Sequence, residues 1–197
     1  MVAHLKELLM TQRFKPIALD QMNEQQRAVA QTLIDGPRKG LRGPFNALLR
    51  NPTLTDRVRL LGDSIRFEST LEPLHREFAI LITAKFWSAD YEWCVHSKLA
   101  LEYGLGSAVV DAIRVGEEPL LSDADLSLIY RFTQEILFDK DVSDATYAKA
   151  IERFGELSTL DLLSTIGYFG FVSVILNAIR QPIPEGAIPL PRKGVQP

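Results

Sequence analysis

The chain has 197 residues, of which 46% are hydrophobic and 24% charged, with a formal net charge of −3. That is enough chain for one globular domain with a real core, and its slightly acidic balance excludes the electrostatic grip that nucleic-acid binding needs. The lone cysteine, Cys94, excludes an internal disulfide and suits a cytoplasmic location.

In chain order the punctuation is helical. The first stretch, "MVAHLKELLMTQRFKPIAL", is broken by Lys6, Arg13 and Lys15 and does not read as a signal peptide. Asp20 is expected to cap "QMNEQQRAVAQTLID", which stops at Gly36. "GPRKGLRGP" (36–44) reads as a loop, and the basic run within it as solvated. Asn51-Pro52 opens "TLTDRVRLLGDSIRF", and Pro73 opens "LHREFAILITAKFW". Ser88 is expected to cap the next helix and Gly104 to end it. Ser107 starts "AVVDAIRV", ended by Gly116. Ser122 with Asp125 resembles a capping box before "LSLIYRFTQEILF". Ser143 starts "DATYAKAIERF", ended by Gly155, and Ser158 starts a last, apolar helix.

From Leu162 to Ile179 no charged residue occurs, which touches the lower length limit for a membrane span. Asp161 and Arg180 bound the segment, and Ser164, Thr165, Ser173 and Asn177 interrupt it. The reading is therefore a helix buried in the protein or at a subunit interface, with no membrane partner. The tail, "QPIPEGAIPLPRKGVQP", is proline-rich and expected to be extended or mobile. No strand pattern with hairpin signals occurs. The expectation is an all-α, single-domain bundle of about seven or eight helices over residues 1–181, followed by the tail 182–197.

The chemistry-bearing residues sit in "SADYEWCVHSKLALEYG" (88–104) and in the helix before it. On a helix, Glu92 and His96 lie about 40° apart, while Cys94 lies about 160° from His96. Glu92 and His96 thus share a face, and Cys94 is turned away and reads as a small buried hydrophobe. Glu77 lies on a strip with Leu81 and Ala84, and a carboxylate on an inward strip needs a partner. His96, from an antiparallel neighbour, could supply it. Glu77 would then hold one imidazole nitrogen and leave the other for a substrate, as general acid–base work requires. A polar bridge that only locks two helices together satisfies the same spacing. Two carboxylates and an imidazole would also suit a divalent metal ion.

The spacing from Glu77 to His96, the following "ALEYGL", and "GPFNALLRNPTLTDRV" (43–58) upstream together resemble the carboxymuconolactone decarboxylase and alkyl hydroperoxidase D-like family. The resemblance is strongest over about 43–116, and the late apolar helix fits it. It implies an alkyl hydroperoxidase D-like fold and homo-oligomers, trimers or hexamers. The family's hydroperoxidase branch has two cysteines between the Glu and the His. Here Ala89 and Glu92 occupy those positions, so disulfide-cycling peroxidase chemistry lacks both thiols. The decarboxylase branch implies a cofactor-independent lyase acting on a small carboxylated lactone or related aromatic-degradation intermediate. On that resemblance His96 transfers the proton, Glu77 orients it, and Glu92 is a second acid–base or polarising group. Tyr91, Trp93 and Arg42 are candidate pocket-lining residues. The alternatives are a peroxidase-like antioxidant protein using Cys94 with an external thiol, a metal-binding protein, and a non-catalytic helical oligomer.

Overall fold

The computed structural model describes residues 12–191, and these form eight α-helices and no strand. The sequence reading of the first 11 residues, and of the tail beyond Pro191, lies outside the described residues. The helices are α1 (Glu24–Asp35), α2 (Phe45–Leu48), α3 (Pro52–Asp63), α4 (Pro73–Phe86), α5 (Asp90–Glu102), α6 (Ser107–Val115), α7 (Ala124–Gln134) and α8 (Asp144–Ile179). Single π-helical stretches, Ser64–Glu68 and Glu135–Asp139, extend α3 and α7.

Most helix ends fall where the punctuation places them, and several caps differ. α1 is capped by Asn23 and not Asp20, through a reciprocal box with Gln26. An Asn at this position accepts the N3 amide while Gln26 returns a bond to the cap amide, satisfying two orphan donors together. α7 is capped by Asp123 and not Ser122, its carboxylate accepting the amides of Asp125 and Leu126. Ser88 caps nothing. It sits at φ 51°, and α5 starts from Ala89 with no side-chain cap. Gly155 ends the first helical run of α8 as expected (φ 79°, ψ 170°), and the apolar run follows from that break and not from Ser158. Gly116 ends α6 at φ 86°, a left-handed position that glycine takes without steric cost.

The described chain divides into two compact units. One comprises residues 12–68 and 175–182. Met22, Ala30 and Leu49 form its small core, with Ile17, Val29 and Leu41 packed on it. Arg38 donates from Nε to Asp63 Oδ1 at 2.6 Å and lays its guanidinium over Phe45.

The other unit comprises residues 69–174 and 183–191. Its centre is α4, buried at every position from His75 to Ala84. Phe78, Leu81 and Ala84 face α5 and α7 in a core with Trp93, Ile129, Phe132 and Leu162. Asp161 fixes the approach to α4, accepting from Thr70 N at 2.7 Å and from both hydroxyls of Ser69 and Thr70. The tail within this unit is extended, as its prolines lead one to expect, and is also tied down. Leu190 is buried and its amide donates to Asp90 Oδ1 at 3.1 Å.

Candidate functional site

α4 and α5 form an antiparallel hairpin whose turn, Trp87–Ala89, is too short to hold ordinary capping. The amides of Trp87 and Ala89 donate to the carbonyls of Thr83 and Ala84 at 3.1 and 2.9 Å, closing the end of α4. Ser88 bears the positive φ that lets the chain reverse here. The reversal sets Glu77 of α4 opposite His96 of α5.

The three candidate acid–base residues meet in a line. His96 Nδ1 lies 2.5 Å from Glu77 Oε2, and His96 Nε2 lies 3.0 Å from Glu92 Oε2. Exposure is 2% for Glu77, 4% for Glu92 and 3% for His96. Phe169 of α8 presents its ring edge-on to the imidazole, centroids 4.8 Å apart, and Tyr168 packs on Phe169 in turn. Burial alone would push the imidazole down; the two carboxylates outweigh it and raise His96 to about 9. At neutral pH His96 is therefore an imidazolium with an N–H directed at each carboxylate.

This geometry differs from the sequence expectation in one respect that matters. The second imidazole nitrogen is not left open for a substrate but is held by Glu92. The i, i+4 spacing puts Glu92 beside His96, and two buried carboxylates without the shared cation would be costly. The line also bears on the metal reading. Both imidazole nitrogens face carboxylates, so the three groups do not converge on a common point, and no group of three potential ligands among the described residues is arranged to hold a metal ion.

The other candidates divide. Tyr91 is half-buried, one position before Glu92. Trp93 is 2% exposed and belongs to the core, which assigns it to packing and not to a pocket wall. Arg42 is exposed and belongs to the other unit. Ala89, where the related branch has a thiol, is fully buried. Cys94 lies off the His96 face, half-buried, its thiol donating to the Ile188 carbonyl at 3.4 Å. Burial, with Asp90 nearby, pushes that thiol up, away from the reactive thiolate form.

Sequence reasoning missed Phe169 and Arg76. Nothing in a run of apolar residues marks which aromatic will meet a histidine. Arg76 had a signal, a charge directly beside Glu77 at the head of the apolar run 78–82.

The all-α arrangement recurs among solved structures. The alkylhydroperoxidase AhpD core, an uncharacterized peroxidase-related protein from Ralstonia eutropha JMP134, superposes with a TM-score of 0.71 at 15% identity, over 88% of this chain and 92% of that one. An uncharacterized peroxidase-related protein from Silicibacter sp. TM1040 superposes with a TM-score of 0.66 at 11% identity, over 85% and 90%. The chain has the AhpD-like fold. No family profile and no curated protein matches the sequence. At these identities the AhpD-like likeness is one of fold alone.

Proposed function

We propose that the protein is a cofactor-independent acid–base enzyme, a lyase acting on a small carboxylated molecule. The observation that carries this reading is the buried imidazolium held between two carboxylates. Perturbed titratable groups gathered in one place are characteristic of proton-transfer sites. Glu77 fixes the ring and its tautomer, His96 is the proton reservoir, and Glu92 is the group that meets the substrate. In a decarboxylation the bond to the departing carboxylate breaks and its electron pair stays on carbon. Glu92 takes the proton from His96 Nε2 and passes it to that carbon, and the neutral ring is then reprotonated from solvent. Positioned proton transfer of this kind contributes about 10²–10⁴-fold.

The test is carbon dioxide release from 4-carboxymuconolactone. Release is expected from the native protein and a fall of at least about 100-fold in Glu92→Gln. Gln still accepts a hydrogen bond from Nε2 but cannot relay a proton. Unchanged release in that variant would overturn the assignment of Glu92, and no release from the native protein would remove this substrate.

A second reading is peroxide reduction, favoured by the words "peroxidase-related" borne by both similar structures. The chain has one cysteine, so sulfenate formed at Cys94 would have to be reduced by an external thiol. Thiol-dependent peroxide turnover abolished by Cys94→Ser would establish this reading. The raised thiol and its bond to Ile188 weigh against it.

We propose further that the protein acts in the cytoplasm as a homo-oligomer, a trimer or hexamer. An exposed apolar stripe on α8 supports association: Leu157 is 61% exposed, Leu160 58%, Phe171 42% and Val174 47%.

A further inference from the structure

The acid–base line leaves Arg76 unexplained. This residue precedes Glu77 on α4, and only 8% of its side chain is exposed. A guanidinium has five N–H donors and cannot shed its charge. Burying one is costly unless ion pairing and hydrogen bonds compensate. Among the described residues its one charge contact is Nε to Glu77 Oε1 at 3.9 Å, beyond hydrogen-bond reach. Nε is enclosed and has no hydrogen-bond acceptor. Oε2 of the same carboxylate is committed to His96.

Charge balance explains why a cation stands here. Glu77 and Glu92 against His96 leave one negative charge, which Arg76 cancels. Charge balance does not explain a buried Nε with no acceptor beside the acid–base line. Arg38 in the other unit spends its Nε on Asp63, although its Nη2, like Nε of Arg114, is also buried without an acceptor.

We propose that Arg76 is the anion-binding residue of the site and that its ligand is a small carboxylate. A planar guanidinium fork matches a carboxylate in two parallel bonds, a match no ammonium reproduces. The inference rests on the acid–base reading for its further consequence. A cation clamped on a carboxylate stabilises the charge where it begins and loses that contact as the charge moves onto carbon. Such a clamp opposes departure of the carboxylate it holds. The carboxylate held by Arg76 is therefore one that stays, and a substrate losing carbon dioxide here carries a second one.

Succinate is the probe. Titration is followed by calorimetry and by the arginine Nε–H resonances in ¹H–¹⁵N spectra of the full chain. Expected are binding of succinate with a shift of the Arg76 Nε–H, no binding of succinamide, affinity lost by at least about tenfold in Arg76→Gln, and a partial loss in Arg76→Lys, which keeps the charge but not the fork. Glu92→Gln, which stops proton transfer, binds succinate at least as tightly because a like charge has gone. An unshifted Nε–H, equal binding of succinamide, or undiminished affinity in a folded Arg76→Lys or Arg76→Gln would overturn the proposal. If Glu92→Gln retains both binding and turnover, the acid–base reading fails and the anion site stands.

Discussion

At the scale of single residues, His96 is held by opposing terms of different origin. Its burial favours the neutral ring, and two carboxylates favour the cation more strongly. Its folded pKa of about 9 lies above the ordinary 6.5. The stability it contributes is therefore complete below about pH 6.5 and is lost as the pH rises through about 9. A shift of this size corresponds to about 3 kcal/mol. Urea unfolding at pH 6, 7.5 and 9 is expected to show a falling midpoint, and the fall should be smaller in Glu92→Gln, where one of the raising carboxylates is gone. A midpoint that does not move over that range would mean the ring is neutral when folded. His96→Gln leaves two buried carboxylates without their shared cation and is expected to cost about 3–5 kcal/mol in the same assay. At the other end of the scale, Glu135 is held at about 2 by Arg131, with Ser143 and Thr146 adding to it. That contribution is present above the ordinary carboxylate range and is lost as pH falls through about 2, so it does not confuse the alkaline measurement.

At the scale of elements, the hairpin of α4 and α5 was legible, and the full burial of α4 was not. Charge-free composition points to 162–179 as the buried helix. In the structure α4 is the helix buried all round, although it carries His75, Arg76 and Glu77. Composition does not reveal this because Glu77 is matched by His96 of the next helix and His75 packs on Phe154, so polar residues are buried without making the sequence apolar. α8 is long and apolar enough to cross a membrane by length and composition, but half of that stretch is buried within the protein and the helix is broken at Gly155. Its exposed residues Leu157, Leu160, Phe171 and Val174 lie within an arc of about 100°, a stripe of the kind that a second subunit covers. Phe171→Glu is expected to shift the proposed oligomer to smaller species in analytical ultracentrifugation and leave the helical circular dichroism unchanged. An identical sedimentation profile would place the interface elsewhere. Caps were the least legible feature. Asn23 and Asp123 displaced the nearby polar candidates Asp20 and Ser122, because the cap falls where the backbone turns first, and α5 opens at Ala89 with no side-chain cap at all.

At the scale of the whole molecule, the all-α class follows from helical punctuation repeated along the chain, and the family resemblance extends that to the AhpD-like fold. The pairing of Glu77 with His96 was also within reach, since a short turn between two helices permits only an antiparallel arrangement. What sequence could not supply was the fate of the second imidazole nitrogen and the unpaired Nε of Arg76, which depend on rotamers and enclosure. The tight turn has a consequence for how the protein comes to exist. Glu77 and His96 are 19 positions apart, so the loop closed in joining them is short and cheap in entropy. The polar line can thus assemble within its own hairpin, ahead of the long-range contacts made by α8. Stopped-flow refolding is expected to be slowed by Leu81→Ala, in the hairpin, while Leu162→Ala, on α8, mainly speeds unfolding. The reverse pattern would mean that the late helix organises the early ones. On this view the buried line of Glu77, His96 and Glu92 is also the nucleus of folding, and a substitution there changes the rate at which the chain finds its shape as well as the stability of the shape it reaches.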